Sequence, residues 1–295
     1  MPYAGCPGYA LVTMMCCDDR ELRLQAALLV WGEANRRHFP WRQDRDPYRV
    51  LVAETMLTQT QASRVVSYYR NFLERFASPA ELATASVQDV LASWSGLGYN
   101  RRAIRLRTCA QVLVERHHGV VPQNYHDLCA LPGVGAYIAN AVLAQAYGHK
   151  VSALDTNAKR VLSRAFFGPV KSPTMLQAKA NAVVPLERSW EWTQAVFDLG
   201  ALVCRSHPSC QVCPLKSDCT FAGEGDDPYI PPRRQSVFEG SHRQKRGLVV
   251  RALATGVSDR EQLRRYVGLD NHSFDLIYQE LSEEGFLDVN SDHRS

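Results

Sequence analysis

Four cysteines fall within sixteen residues as Cys204-x5-Cys210-x2-Cys213-x5-Cys219, with Pro208 and Pro214 setting turns inside the run. Thiolates so closely spaced can converge on one centre, and soft sulfur ligands select zinc or an iron-sulfur cluster over harder ions. Zinc sites of this size usually pair two Cys-x2-Cys units across a longer loop, whereas one closed run at the end of a helix suits a cubane 4Fe-4S cluster. Upstream, Leu131-Pro132-Gly133-Val134-Gly135-Ala136-Tyr137 separates a short helical pattern from a longer one. Two glycines two residues apart let the backbone approach a ligand closely, and the amide N–H groups at the start of the next helix then point outward. Gly133, Val134 and Gly135 are thus candidates for gripping a phosphate without reading base sequence, although an ordinary interhelical turn uses the same residues. Two carboxylates complete the set. Glu54 stands among Leu51, Val52, Met56 and Leu57, an apolar setting that favours the protonated, proton-donating form of a carboxyl group. Asp155 opens a helical pattern, where donors at a helix N-terminus favour an ionised carboxylate.

Helices must position these groups. Leu22, Leu24, Ala26, Leu28, Leu29 and Trp31 fit one from Glu21 to Arg37. Further helical patterns follow at about 48–57, 60–76, 79–84, 87–94, 100–117, 124–130, 136–147, 155–166, 173–184 and 190–203. Almost no segment alternates as a strand does, so the fold class is all-α. Residues 1–20, with Pro2, Gly5, Pro7 and Gly8, show no period and read as an N-terminal extension. A Gly-, Asp- and Pro-rich linker at 223–235 leads to a smaller module at 236–295. That module reads as a helix ending near Leu253, a second over Asp259 to Tyr266, a turn at Gly268, a third from Asp270 to Glu284, and a short strand from Phe286 to Val289. The order is winged-helix-like, an arrangement whose third helix often reads DNA. Its acidic residues favour a structural or partner-docking role instead.

At 295 residues the chain is long enough for two compact domains, or one with an appendage. A net charge of +4 permits a polyanionic partner without demanding one. No apolar run is long enough to span a bilayer and no secretory signal opens the chain, so a cytoplasmic protein without a membrane partner is expected. Nine cysteines in such a chain argue against a disulfide framework. Cys6, Cys16, Cys17, Cys109 and Cys129 are scattered and read as small hydrophobes or tail residues. Arg101, Arg102, Arg105 and Arg107 suit a phosphate-facing helix, and a solvated charged face nearly as well.

The order helix-hairpin-helix with Leu-Pro-Gly-Val-Gly, then Leu154-Asp155-Thr156-Asn157, then four cysteines resembles the endonuclease III superfamily of base-excision DNA glycosylases, over about residues 22–221. Phe39-Pro40-Trp41-Arg42, Asp46-Pro47-Tyr48 and Glu54-Thr55-Met56-Leu57-Thr58-Gln59-Thr60-Gln61 are similar to its MutY-type adenine glycosylases. The resemblance implies a glycosylase core at 21–222. Its six-helix domain with the hairpin spans about 45–154, and its iron-sulfur domain is built from 21–44 and 155–222. It also implies a 4Fe-4S cluster on Cys204, Cys210, Cys213 and Cys219, and a monomer acting on double-stranded DNA that holds a mismatched or damaged base.

For the reaction, it implies that Glu54 is the general acid that protonates the leaving base and that Asp155 stabilises or traps the sugar cation. Breaking an N-glycosidic bond needs both. Asn157 helps to orient water or Asp155. Tyr137 stands where lyase members carry an imine-forming lysine, and a phenol cannot form that imine, so a monofunctional glycosylase is implied. The target base must leave the stack. Gln59 matches the wedge position beside Leu57, and Trp41, Arg42 and Gln194 match residues that line or read the extruded base.

The implied substrate is adenine opposite 8-oxoguanine or guanine. Thr58 stands where glutamine is usual, Asn100 where such enzymes have a second tyrosine, and the first cysteine gap holds five residues instead of six. The C-terminal module has neither the length nor the strand pattern of a Nudix-like domain. Asn100 resembles the endonuclease III and mismatch thymine glycosylase branches, which keeps thymine or uracil excision opposite guanine as the alternative. A non-catalytic DNA-binding protein is the third reading, opposed by the presence of both Glu54 and Asp155.

Overall fold

The computed structural model describes residues 18–170, 172–231 and 236–287. Most of the N-terminal extension, with Cys6, Cys16 and Cys17, lies outside them, as does the end of the expected strand. Among the described residues there are fourteen α-helices and no strand. In chain order these are α1 (Asp19–Ala34), α2 (Pro47–Leu57), α3 (Ala62–Arg75), α4 (Pro79–Thr84), α5 (Val87–Trp94), α6 (Arg101–His117), α7 (Tyr125–Ala130), α8 (Ala136–Gln145), α9 (Thr156–Leu162), α10 (Pro173–Ala182), α11 (Ser189–Leu202), α12 (His242–Ala254), α13 (Arg260–Val267) and α14 (Asn271–Glu283). Short polar side chains start many of them. Asp18, Asp46, Ser86, Asn124, Asp155, Ser241 and Asp270 each accept a backbone N–H of the helix they precede, and Ser78 with Glu81 forms a reciprocal capping box.

Two compact units result, one from residues 1–37 and 148–231, the other from 38–147 and 232–295. In the first, Leu24 and Leu28 of α1, Val161 of α9, and Trp192 and Leu199 of α11 form the core. A Cβ added at Gly32 would lie 2.5 Å from that of Ala195, so α1 and α11 pack with almost no side chain between them at that point. Gly200 brings α11 equally close to α9, since a Cβ there would meet Asn157 Cβ at 2.7 Å. The helix expected over 155–166 is α only to Leu162. It then widens into a π-turn, Ser163–Phe167, which Gly168 ends at φ +67°.

In the second unit α2 is apolar nearly all round, with Tyr48, Val50, Leu51, Val52, Ala53 and Met56 buried, as a central helix must be. It packs on α8, whose Ala139, Ala141 and Ala144 are buried. Helices α12 to α14 share a second apolar cluster with α5 and α6, in which Val249, Leu253, Leu263, Phe274 and Ile277 meet Val87, Leu91 and Ile104. Arg246 bridges Glu280 and Glu284, and Glu284 also takes Arg101 at the start of α6.

Two expectations about this unit are corrected. Phe286 and Leu287 are not in a strand. Gly285, at φ +77°, and the Phe286 N–H bonded to Leu281 O at 2.9 Å close α14 with a helix cap, and Phe286 folds into the module's core. The basic run of α6 is not a common phosphate-facing row either. Arg102 and Arg107 turn their guanidinium groups to backbone carbonyls, Arg101 pairs with Glu284, and the stem of Arg105 packs where a Cβ of Gly133 would stand. Carbonyls at helix ends and loops compete with solvent for these donors, and charge alone does not reveal it.

Candidate active site

Glu54 lies on the central helix and is 2 % exposed. A carboxyl group so deep needs partners. Gln145 Nε2 donates to its Oε1 at 2.7 Å, and the Tyr137 hydroxyl donates to its Oε2. Tyr137 and Gln145 stand eight residues apart on α8, within the stripe that one helix face presents. Position 137 therefore does more than lack a lysine: its hydroxyl holds Glu54. A hydroxyl both gives and accepts, so this contact persists whether Glu54 is charged or protonated. Gln145 carries no motif. The sequence signal for it is a polar side chain in a mostly apolar run, in register with Tyr137.

Around this group, Leu57 ends α2 half-buried, and Gln59 follows as an exposed residue in the left-handed region, φ +60°. Trp41 is buried, with Phe39 stacked on it at 4.8 Å and Tyr69 edge-on at 5.5 Å, so it is packed among aromatic rings and is not an open stacking surface. The Arg42 guanidinium lies over Phe39. In the hairpin, Gly133 takes φ +81° and Val134 N–H closes the turn on Leu131 O at 3.1 Å. Gly135 opens α8 without a side-chain cap.

In the other unit Asp155 is the N-cap of α9. Its Oδ1 accepts Ala158 N–H at 2.6 Å and its Oδ2 accepts Asn157 Nδ2 at 3.3 Å. Asn157 Oδ1 accepts Arg160 Nη2 at 2.7 Å, and the same guanidinium reaches Gly200 O and Cys204 O. An ionised Asp155 cannot be inferred from helix-terminal donors alone. Burial pushes its carboxyl above the usual aspartate range, and the Ala158 amide, Arg160 and Asn157 pull the other way. Gln194 is buried on α11.

Cys204, Cys210, Cys213 and Cys219 line one cavity with Val161, Leu199, Pro208 and Leu215. Arg164 Nη1 stands 3.6 Å from Cys204 Sγ, and the Ala222 amide donates to Cys219 Sγ at 3.2 Å. Gly223, at φ +88°, leaves the sulfur of Cys210 room that a Cβ would take, at 3.0 Å. N–H donors beside Cys204 and Cys219 fit an electron-rich sulfur centre. Among the described residues, no three His, Cys, Asp or Glu side chains form a site for a single metal ion. Among the described residues, no helix is long and apolar enough to cross a membrane.

Residues 52–186, which hold Glu54, the hairpin and Asp155, match the HhH-GPD superfamily base excision DNA repair protein family. The chain is 40 % identical over 234 residues to an adenine DNA glycosylase of Mycobacterium tuberculosis (strain ATCC 25618 / H37Rv), covering 77 % of each. It is 35 % identical over 274 residues to the adenine DNA glycosylase of Mycolicibacterium smegmatis, covering 90 % of this chain and 93 % of that one. Among solved structures, a thermostable thymine-DNA glycosylase superposes with a TM-score of 0.67 at 28 % identity, over 70 % of this chain and 98 % of that one. The chain belongs to the HhH-GPD superfamily of base excision DNA repair proteins and, within it, to the family of these adenine DNA glycosylases.

Proposed function

We propose that this protein is a monofunctional DNA glycosylase that hydrolyses the N-glycosidic bond of adenine mispaired with 8-oxoguanine or guanine in double-stranded DNA. The observation that carries the reading is the Glu54 constellation: one deeply buried carboxyl group, held by a phenol and an amide, with no lysine at position 137. Glu54 passes its proton to the adenine ring as the bond breaks, which turns a poor leaving group into a neutral one. Asp155, ionised in the working enzyme, faces the positive charge that develops on the sugar. Asn157 and Arg160 hold Asp155 in place. The portion at 45–154 supplies the acid and the hairpin, and the portion built from 21–44 and 155–222 supplies the anion. Gly133, Val134 and Gly135 grip a phosphate, and Gln59 fills the space the extruded base leaves.

Cys204, Cys210, Cys213 and Cys219 hold a 4Fe-4S cluster. When bound, it supplies a rigid, charged sulfur centre that ties the end of α11 to the loop up to Cys219 and takes no part in the hydrolysis. Protein purified without oxygen is expected to be brown and to contain iron. Colourless, zinc-loaded protein removes the cluster from this reading.

The substrate is tested by single-turnover base release from matched duplexes carrying adenine opposite 8-oxoguanine, adenine opposite guanine, thymine opposite guanine and uracil opposite guanine. Adenine release is expected from the first two, with no imine trapped by borohydride. The advantage of 8-oxoguanine over guanine should be shallow, because Asn100 lacks a ring and each lost base contact removes about 1–3 kcal/mol of discrimination. The structural likeness to a thymine-DNA glycosylase favours the second reading. Faster release of thymine or uracil establishes that reading in place of the first.

A further inference from the structure

The guanidinium of Arg102 makes contacts that the proposed chemistry does not use. Its Nη1 donates to Thr55 O at 2.9 Å, Met56 O at 2.8 Å and Thr58 O at 2.6 Å, the carbonyls that end α2 one to four residues after Glu54. Its Nη2 donates to Thr60 Oγ1 at 3.0 Å and Gly98 O at 2.9 Å, and its Nε to Tyr99 O at 3.3 Å. Few single groups can serve so many acceptors. Guanidinium has five N–H donors in one rigid plane, whereas an ammonium has three on a flexible stem.

The two loops joined in this way share a property. Gln59, exposed, sits at φ +60°, and Tyr99, 44 % exposed, at φ +52°, each in the left-handed region that side chains other than glycine rarely enter. Such conformations persist only where surrounding contacts over-determine them. The Gly96–Tyr99 turn is also held by Trp94 Nε1 on Gly98 O at 3.1 Å and by Arg64 on Gly96 O. Arg102 connects this turn to the loop after α2. Burial lowers its pKa to about 10, which still leaves it fully charged at neutral pH.

We propose that Arg102 is a positioning residue for base extrusion: it fixes Gln59 and Tyr99 at a set spacing, as two rigid points pressed into the duplex on either side of the target. The inference rests on the glycosylase reading above. Its consequence is that extrusion of the base, not proton transfer, fails when the clasp is loosened.

The test compares the full-length wild-type protein with Arg102→Lys, which keeps the charge and loses the planar fork. Two duplexes are used, one carrying 2-aminopurine opposite guanine and the other a tetrahydrofuran abasic analogue opposite guanine. The rise in 2-aminopurine fluorescence reports unstacking, and the abasic duplex needs no base extruded. The variant is expected to lose about 10-fold or more in the rate of the fluorescence rise and in adenine release, while its affinity for the abasic duplex stays within about 3-fold. Unchanged extrusion in a folded variant overturns the proposal, and so does an equal loss on both duplexes. Should Arg102→Lys fail to fold, Thr60→Val removes one acceptor and should slow extrusion in the same selective way; no effect there overturns the proposal equally. If the wild-type protein releases no adenine from any duplex, the functional reading fails, while the fluorescence comparison still decides the role of Arg102.

Discussion

Glu54→Gln is expected to reduce single-turnover adenine release by about 10²-fold or more while leaving fold and DNA affinity intact. The geometry makes this substitution unusually clean. The introduced amide keeps an oxygen that can accept from Gln145 Nε2 and gains an N–H₂ that can donate to the Tyr137 hydroxyl, whose own O–H, on a half-buried side chain, can rotate to another acceptor. What is lost is the transferable proton. Thermal melting within a few degrees of wild type, with base release at background, is the expected pair of measurements. Activity within a few-fold of wild type reduces Glu54 to a buried packing residue.

Asp155→Asn is expected to be as severe, about 10²- to 10³-fold in rate, because a neutral amide cannot offset the developing sugar cation. Asparagine is as good an N-cap as aspartate, so α9 keeps its start. Duplex affinity is expected to survive, which also separates an enzyme from a binding protein. Two pH effects follow from the upward push that burial exerts on this carboxyl. Since Asp155 acts ionised, the wild-type rate should fall as pH drops, with its acid inflection above the ordinary aspartate value of about 3.9. The sign for stability is the opposite. A group whose folded pKa exceeds its unfolded value favours folding below the unfolded pKa and opposes it above the folded one, so the ionised carboxylate weakens the native state at neutral pH. Asp155→Asn should therefore melt higher than wild type near pH 7, and the difference should vanish as pH approaches the unfolded value. A variant that melts lower at neutral pH contradicts this account of the site.

The helices were legible from their apolar spacing, and Ser78, Ser86 and Asp270 cap helices that form where that spacing starts; α1 instead begins at Asp19, capped by Asp18, inside the stretch expected as an extension. The π-turn after Leu162 was not, since its residues are ordinary helix formers and its widening depends on what packs around it. Much the same holds for the site. Cys204 to Cys219 declare themselves by spacing, and the hairpin by its glycines. Gln145 and Arg102 do not, because each acts on groups far away in sequence, Glu54 for one and Thr55 to Thr60 for the other. An arginine in a basic run looks like a surface cation until the fold supplies it with carbonyls. The ionisation of Asp155 was hidden for a related reason: local donors are visible in the chain, but the depth at which they operate is not.

The joint packing of α12 to α14 on α5 and α6 bears on how this protein can be handled. A fragment ending in the linker would bare Val87 and Leu91 of α5 and Ile104 of α6 to water together, the last on the helix whose first turn carries Arg101 and Arg102. Contiguous apolar patches of that kind drive self-association. Shortened versions made for crystallisation or delivery should therefore precipitate unless that face is recoloured with polar side chains.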